Sequence, residues 1–254
     1  PYGCLKSEIR IMHQLEILYR DDYLVAVNKP AGIMVHRSPI AAPRERFALQ
    51  MLREQIGQRV YPVHRLDRPT SGALLFTLDR TSASEMAGRF ARKEIEKTYV
   101  AVVRGFIPEE GRIELPLRAD VYKGPTKAVI KPAQTLFRRL AQIEVPYPVG
   151  RYSTARYSLL QVRPLTGRMH QIRRHLRDIA HPVIGDTRHG DSHHNRFVRE
   201  TLGCGRLLLA SVRIEFSHPS TGQPVSITAP LGPRFCRLIR RFDWQDRLPA
   251  SWAD

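Results

Sequence analysis

Residues 64–72 read His64-Arg65-Leu66-Asp67-Arg68-Pro69-Thr70-Ser71-Gly72, so that one carboxylate lies between two arginines and precedes a turn-forming segment. Apolar runs at 60–63 and 73–76 predict a strand on each side of this polar loop. A lone acid at the end of a buried element is held rigidly, and neighbouring guanidinium groups favour its charged form. Such a carboxylate suits a nucleophile, although a surface salt bridge on a hairpin accounts for the same residues equally well.

The composition of the chain indicates a globular protein with a polyanionic partner. Its 254 residues include 41 Lys and Arg against 24 Asp and Glu, which gives a formal net charge of +17. This excess favours nucleic acid through phosphate contacts and counterion release, and no basic amphipathic stretch points to a membrane instead. The three cysteines form no CxxC pair, which argues against a disulfide framework and fits a reducing compartment. Because the amino terminus has no signal-peptide hydrophobic region, we expect a cytoplasmic protein.

The histidines at 170, 175, 181, 189, 193 and 194 raise the question of a metal site. Their spacing matches no common zinc pattern, and the scattered cysteines cannot complete one. We therefore expect no catalytic metal. A different chemistry would follow if Asp186 supplied the second acid of a hydrolase pair with Asp67.

Hydrophobic periodicity divides the chain into a leader or disordered end at 1–14 and a single domain at 15–254. Helices are predicted at 46–55, from Thr81 with the hydroxyl groups of 81–84 as amino-terminal caps, from Arg168 and at 234–242. Strands are predicted near 15–29, at 96–103, at 156–165 and at 213–216, and the run at 206–210 fits either a helix or a strand. The turn at 28–32 is predicted to leave Lys29 free to point at a ligand, although a solvent-exposed turn lysine explains the same position as well. The section 107–149 predicts hairpins and loops, with Lys123 and Lys127 as possible phosphate contacts.

Three further residues allow two interpretations each. Tyr99 lies near the start of the strand predicted at 96–103, where a tyrosine is more often a packing residue than a functional group. Arg168 and Arg173 lie at the start of a predicted helix and could bind a phosphate or a carboxylate there. A solvated basic helix face explains the two arginines as well.

HRLDRPTSGALLF at 64–76 resembles the catalytic motif of the RluA family of pseudouridine synthases. Two more family motifs follow in order, Lys-x-Tyr at 97–99 and TGRMHQIRRHL at 166–176, and the Lys-Pro-x-Gly loop at 29–32 and the HPxxGDxxHG run at 181–190 are also similar. The resemblance covers 15–230 and implies one catalytic domain without an added S4 domain. The implied fold class is α+β, a mixed, largely antiparallel sheet with flanking helices and a central catalytic cleft.

The resemblance also implies a reaction, the isomerisation of uridine in RNA to pseudouridine without a cofactor. Asp67 would be the nucleophile, and Tyr99 would stack on a target base flipped out of its stem. Arg65 would take the place of that base, and Arg173 would pair with Asp67. The resemblance suggests that the remaining substrate-binding residues are Arg168, His170, Gln171 and Lys29, with Arg168 and His170 at backbone phosphates.

The expected partner is tRNA. The runs VNKPAGIMVHRS, GRYSTARYSLL and HPVIGDTRHGD resemble the family members that modify uridine 65 in the T stem, and we expect a monomer. Two alternatives remain at this point. The protein could modify ribosomal RNA, or it could bind RNA without catalysis.

Overall fold

The computed structural model describes residues 14–36, 46–118 and 129–253. The predicted leader, apart from Gln14, and the predicted contacts of Lys123 and Lys127 lie outside these ranges. The chain divides into two compact units. The first contains the chain up to Glu96, Ala210–Gly232 and the carboxyl-terminal residues from Ser251, and the second contains Lys97–Leu209 and Pro233–Ala250.

The predicted strands and helices occur in the predicted order, and the structure adds elements that the periodicity did not predict, among them the helices at Ser192–Glu200 and Ala250–Ala253. The strands are β1 (Glu16–Arg20), β2 (Leu24–Lys29), β3 (Tyr61–Pro62), β4 (Ser71–Thr77), β5 (Glu96–Arg104), β6 (Glu110–Ile113), β7 (Leu117–Arg118), β8 (Ile130–Lys131), β9 (Thr135–Val145), β10 (Ala155–Pro164), β11 (Leu209–Ser217) and β12 (Pro224–Thr228). The helices are α1 (Ala48–Ile56), α2 (Arg80–Arg92), α3 (Gln171–Asp178), α4 (Ser192–Glu200), α5 (Pro233–Arg241) and α6 (Ala250–Ala253), with a 3₁₀ turn at Gln245–Arg247.

The sheet of the first unit is centred on β4, all seven residues of which are buried. Strand β2 pairs with β1 and β4 in antiparallel fashion, β3 pairs with the far end of β4, and β12 pairs with β11. Strand β11 runs parallel to β4, with Ala210 opposite Ser71 and Ser211 opposite Gly72. The sheet is therefore mixed. Its apolar face packs against α2 through residues such as Leu24, Leu75 and Met86.

Gly72 is required where β4 begins. Its φ of +109° is a conformation that L side chains rarely adopt, and a Cβ at this position would lie 2.0 Å from the carbonyl oxygen of Ser211. The missing side chain lets the backbone of β11 approach β4 directly after the loop that carries Asp67. Residue 72 thus contributes to the fold through its lack of a Cβ.

The amino terminus of α2 differs from the prediction. The helix begins at Arg80 and is capped by Asp79, whose carboxylate accepts hydrogen bonds from the Ser82 backbone N–H at 2.8 Å and the Ser82 hydroxyl at 2.6 Å. The hydroxyl residues expected as caps lie inside the helix instead. Asp79 is the better cap because an ionised acceptor at a helix amino terminus also interacts favourably with the helix dipole.

The second unit contains an antiparallel sheet in the order β5-β10-β9-β6, with β7 and β8 as a separate pair. The section 107–149, predicted as hairpins and loops, contributes the eleven-residue strand β9. Helix α3 begins at Gln171 rather than at Arg168, because His170 at its amino terminus has a left-handed φ of 51° and cannot continue a helix.

These pairings confirm the predicted α+β class with a mixed, largely antiparallel sheet and flanking helices. Within either unit the strand pairs are antiparallel except for β4 with β11. The helices in the described ranges are all too short or too polar to cross a membrane. The predicted single domain at 15–254 stays a prediction.

Candidate active site

Asp67 lies on a short loop that joins β3 to β4, and its side chain is half-buried. The residues on either side of it anchor the loop, since Leu66 is 5% exposed and Thr70 is 2% exposed. The Thr70 N–H donates to the Asp67 carbonyl at 3.0 Å and closes a turn. Arg65, by contrast, is exposed. The loop thus places an acid and a solvent-facing guanidinium on a backbone with little freedom to move.

A second loop, at residues 29–33, holds the loop of Asp67 from the side. The Gly32 N–H donates to the Arg68 carbonyl at 2.8 Å, and the Arg68 Nε donates back to the Gly32 carbonyl at 3.1 Å. The Lys29 Nζ also donates to the Arg68 carbonyl, at 3.3 Å. These three bonds fix the residue next to Asp67 to the end of β2.

Lys29 does not point outward at a ligand, and that expectation is wrong. Its side chain is fully buried, and its ammonium group also donates to the carbonyl oxygens of Pro30 at 2.9 Å and Ile33 at 2.8 Å. A buried ammonium is stable only when its donors are satisfied, and here backbone carbonyl oxygens of both loops accept them. Lys29 therefore positions the two loops relative to each other.

Replacing Lys29 with Met is expected to lower the free energy of unfolding by about 3 kcal/mol, since charged hydrogen bonds to buried carbonyl oxygens are lost. Urea denaturation followed by circular dichroism measures the change. The exposed Lys131→Met variant is the matched control and should change stability by less than about 0.5 kcal/mol. Equal stabilities of the two variants would contradict the positioning role.

His64 supports the same loop from its amino-terminal end. Its Nε2 accepts a hydrogen bond from the Leu75 N–H at 2.9 Å, and its ring stacks on Phe90 with centroids 5.0 Å apart. Because Nε2 is the acceptor, the proton of the neutral ring lies on Nδ1. The imidazole thus connects the loop of Asp67 to the middle of β4 and to α2.

In the second unit, Arg173 forms a buried ion pair with Asp186. The Arg173 Nε donates to the Asp186 Oδ2 at 2.7 Å and the Nη2 donates to the Oδ1 at 2.8 Å, with side chains 5% and 0% exposed. Two parallel hydrogen bonds of this kind form a bidentate pair, the arrangement in which an arginine and a carboxylate bind each other most strongly. Arg173 is consequently held in one orientation at the first turn of α3.

The surroundings of Asp186 keep it ionised. Burial by itself would raise the pKa of Asp186, but the hydrogen bonds and charge of Arg173 and the backbone N–H groups of His189 and Arg188 outweigh it and lower the pKa. A general acid must carry a proton at the working pH. Asp186 is therefore unsuited to be the acid of a hydrolase pair, and it orients Arg173 instead.

Gln171 uses its whole side-chain amide inside the protein. Its Oε1 accepts from the Thr166 hydroxyl at 2.6 Å and the Arg168 N–H at 3.0 Å, while its Nε2 donates to the Gln134 carbonyl at 2.8 Å and the Thr135 hydroxyl oxygen at 3.0 Å. The side chain is 4% exposed. This corrects the expectation that Gln171 binds substrate, because the amide holds the loop before α3 and has no group left for a ligand.

His170 is held by a second histidine. Its Nδ1 lies 2.9 Å from the Nε2 of His189, and the Arg177 Nη1 lies 3.4 Å from the Nδ1 of His189. Since a guanidinium only donates, His189 accepts at Nδ1, donates from Nε2 and leaves the His170 proton on Nε2. Burial, together with the charges of Arg173, His170 and Arg177, lowers the pKa of His189 to about 4 although Asp186 acts in the opposite direction.

The depressed pKa of His189 predicts a pH dependence of stability. A histidine that titrates near 6.5 when unfolded and near 4 when folded takes up a proton on unfolding between these values, so stability falls as the pH falls from 6.5 to 4. Because the side chain is partly exposed, we expect His189→Gln to remove only about 1 kcal/mol of this fall. Thermal denaturation from pH 4 to 7 measures it. The exposed His36→Gln variant should keep the wild-type profile, and a wild-type profile for His189→Gln would contradict the assignment.

The remaining predicted site residues also lie in the second unit. Tyr99 is in β5 opposite Val162 of β10, with 8% of its surface exposed. Arg168 is exposed, and its Nε donates to the Pro132 carbonyl at 3.2 Å. The second unit thus brings Arg168, His170 and Arg173 together at the amino terminus of α3. Roles in RNA binding for these residues stay predictions.

Several of the histidines take part in internal hydrogen bonds. His175 bonds to the Thr135 hydroxyl and the Leu115 carbonyl, both at 2.9 Å, and the His194 Nδ1 lies 3.0 Å from the Tyr157 hydroxyl. Within the described ranges, no group of three or more His, Cys, Asp or Glu side chains could hold a metal ion. The hydrogen bonds of His175 and His194 connect elements inside the second unit.

Residues 23–178 match the family of RNA pseudouridylate synthases. This range is more than half of the chain and contains Asp67, Tyr99 and Arg173. The chain belongs to the RNA pseudouridylate synthase family. The family resemblance seen in the sequence is confirmed.

Relatives of this pseudouridylate synthase in several bacteria match it along almost all of its length. The tRNA pseudouridine synthase C of Haemophilus ducreyi is 47% identical over 237 residues, covering 91% of this chain and 97% of that protein. The protein of the same name from Vibrio cholerae is also 47% identical and covers 92% and 98%. The protein from Pasteurella multocida is 48% identical over 236 residues.

Solved structures support the fold. The human RNA pseudouridylate synthase domain containing 1 superimposes with a TM-score of 0.67 and 24% identity, covering 88% of this chain and 86% of that one. The human RNA pseudouridylate synthase domain containing 4 superimposes with a TM-score of 0.66 and 21% identity, covering 94% of this chain and 95% of that one. At these identities the likeness concerns the fold alone.

Sequence reasoning missed three supporting residues of this pseudouridylate synthase. His64 is the first residue of the motif at 64–76, but nothing in the motif shows that its ring accepts a hydrogen bond from β4. Asp186 and His189 lie in the HPxxGDxxHG run, where their partners Arg173 and His170 are 13 and 19 residues away. The signal that could have found them is the repeated occurrence of Asp, Arg and His in two neighbouring motifs.

Proposed function

We propose that this protein isomerises a uridine of tRNA to pseudouridine and that Asp67 is the nucleophile. The observation that carries the proposal is the position of Asp67 on a loop held by Lys29, Gly32 and His64. The nearly full-length relatives named tRNA pseudouridine synthase C support tRNA as the substrate. The net charge of +17 supports a polyanion as the partner.

The proposed reaction rearranges one nucleotide without adding or removing atoms. Asp67 attacks the nucleotide, the bond between N1 of the uracil and C1′ of the ribose breaks, and the base turns while it stays in the site. A bond then forms between C5 and C1′, the C5 proton leaves and N1 takes up a proton. Asp67 is released unchanged. Since the isomerisation involves no net oxidation or reduction, it requires no redox cofactor.

The other residues of the site have supporting roles in this proposal. Arg65, exposed beside Asp67, fills the space that the flipped base leaves in its stem, which offsets part of the unstacking cost of a few kcal/mol. Tyr99 stacks on the flipped base. Arg173, oriented by Asp186, is the proposed partner of the Asp67 carboxylate. Arg168 and His170 are the proposed contacts to backbone phosphates.

The proposed target is uridine 65 in the T stem of tRNA. We would incubate the protein with unmodified tRNA and, separately, with unmodified ribosomal RNA, and map pseudouridine by carbodiimide labelling and primer extension. A new pseudouridine at position 65 of tRNA is the expected result. If pseudouridine forms only in ribosomal RNA, the substrate is ribosomal RNA and not tRNA. If the protein binds RNA but forms pseudouridine in neither, it is a non-catalytic RNA-binding module.

A further inference from the structure

Helix α5 (Pro233–Arg241) has one apolar face and one arginine face. The apolar face, which includes Phe235, Leu238 and Ile239, is at most 2% exposed. On the opposite side Arg237, Arg240 and Arg241 are exposed, and the helix contains no acidic residue. Four residues of helix rise about 6 Å, so Arg237 and Arg241 present their charges one above the other along the axis.

The three arginines on this face lie close together, and none of them has an acidic partner among the described residues. Arg46, Arg92 and Arg112, by contrast, each form an ion pair with a glutamate. Arg237, Arg240 and Arg241 have no carboxylate within 4.0 Å in the part of the chain that the structure describes. The acids nearest in sequence, Asp243 and Asp246, follow the end of the helix.

Helix stability explains only part of this pattern. Cations in the last turn interact favourably with the helix dipole, which accounts for Arg240 and Arg241. Arg237 lies in the middle of the helix, where the dipole provides no such stabilisation. Three like charges within five residues also repel one another, which costs stability unless an anion binds to them.

The packing of α5 decides which kind of anion fits. Its end is held by Phe242, which stacks on Tyr157 with centroids 5.6 Å apart and contacts Trp244 at 4.8 Å. A membrane-binding helix inserts its apolar side between lipids, but the apolar side of α5 is already part of the protein core. The partner must therefore be bound through charge alone, as a sugar-phosphate backbone is.

We propose that the arginine face of α5, defined by Arg237, Arg240 and Arg241, is a binding surface for RNA backbone phosphates. The inference rests on the proposed function in taking RNA as the substrate. It adds a contact surface outside the predicted site residues, which contributes affinity without base recognition. Each phosphate contact adds about 0.7–0.9 to the slope of log K against log salt.

The test compares two triple variants that lose the same charge. In R237Q/R240Q/R241Q the arginine face of α5 is neutral, whereas R46Q/R92Q/R112Q removes three exposed arginines that have glutamate partners. The Kd for tRNA is measured between 50 and 300 mM salt. We expect the α5 variant to raise the Kd at least about tenfold and to lower the salt slope by about 2, and the control to change the Kd less than about twofold.

Several outcomes would overturn the inference. Equal effects of the two triple variants would show that net charge alone matters, and an unchanged tRNA affinity of the α5 variant would exclude the surface. Loss of binding to phosphatidylserine vesicles with unchanged tRNA affinity would assign the face to a membrane. The melting temperature of each variant should stay within about 2 °C of wild type, because all the replaced side chains are exposed.

The same experiment separates this inference from the proposed function. With saturating tRNA, the α5 variant should form pseudouridine at a rate within about twofold of wild type. If wild type forms no pseudouridine but the α5 variant still binds tRNA more weakly, the proposed function fails and the phosphate-binding surface stands. If wild type is active and both triple variants bind alike, the surface fails and the proposed function stands.

Discussion

Asp67→Asn is expected to abolish pseudouridine formation in tRNA, with the single-turnover rate lowered by more than about 10³-fold. An amide has nearly the shape of a carboxylate but is a far poorer nucleophile. The loop should keep its conformation, because the bonds from Gly32, Lys29 and Thr70 end on backbone carbonyl oxygens. The Kd for tRNA should therefore change by less than about threefold. Quenched-flow sampling and filter binding measure the two quantities.

The control for this variant is Asp22→Asn. Asp22 is an exposed acid in the turn between β1 and β2, so its replacement makes the same change in charge away from the loop of Asp67. We expect the Asp22→Asn variant to keep the wild-type rate of pseudouridine formation and the wild-type affinity for tRNA. An Asp67→Asn enzyme with a rate within tenfold of wild type would exclude Asp67 as the nucleophile. A parallel loss of tRNA binding would indicate a binding role instead.

Asp186→Asn is expected to lower the free energy of unfolding by about 4 kcal/mol, because it breaks a buried ion pair and leaves a guanidinium facing a neutral amide. For a chain of this size the loss corresponds to roughly 10 °C in melting temperature. Differential scanning calorimetry at pH 7 measures it. We also expect a lower rate of pseudouridine formation in the folded enzyme, since Asp186 orients Arg173.

Two comparisons identify the ion pair as the cause. Glu200→Gln removes a carboxylate from the exposed pair with Arg199 and should cost less than about 1 kcal/mol. The pH dependence provides the second comparison. Because the pKa of Asp186 is lower in the folded protein than its ordinary value near 3.9, its stabilisation is present above that pH and is lost as the pH falls further. A stability difference between wild type and Asp186→Asn that stays constant below pH 3.9 would contradict this account.

Local patterns predicted most elements of the fold. The apolar-rich run at 96–103 corresponds to β5, the alternating run at 156–165 corresponds to β10, and the helical period at 234–242 corresponds to α5 within one residue. These predictions succeeded because side-chain periodicity reports which face of an element is buried. The predicted helix cap at 81–84 failed because an aspartate two residues upstream of Thr81 is the stronger acceptor.

The site was predicted less completely than the fold. The motif identified Asp67 and the family resemblance identified Tyr99 and Arg173, but the direction of the Lys29 side chain was wrong. A lysine beside a Pro-Gly turn is usually solvated, but the carbonyl oxygens of Pro30, Ile33 and Arg68 together accept from this ammonium group in the protein interior. The roles of Gln171 and His64 likewise depend on partners that the local sequence does not contain.

The periodicities, the net charge and the three ordered motifs were sufficient to predict the class of this protein. These properties are local or additive, so each can be recognised without knowing which residues meet. The tertiary structure was needed to show that Asp186 orients Arg173, that Lys29 joins two loops and that the arginines of α5 have no acidic partner among the described residues. The first two depend on groups far apart in the chain that approach within hydrogen-bonding distance. The third depends on no described carboxylate lying close to the arginines of α5. Such distances follow from the packing of whole elements.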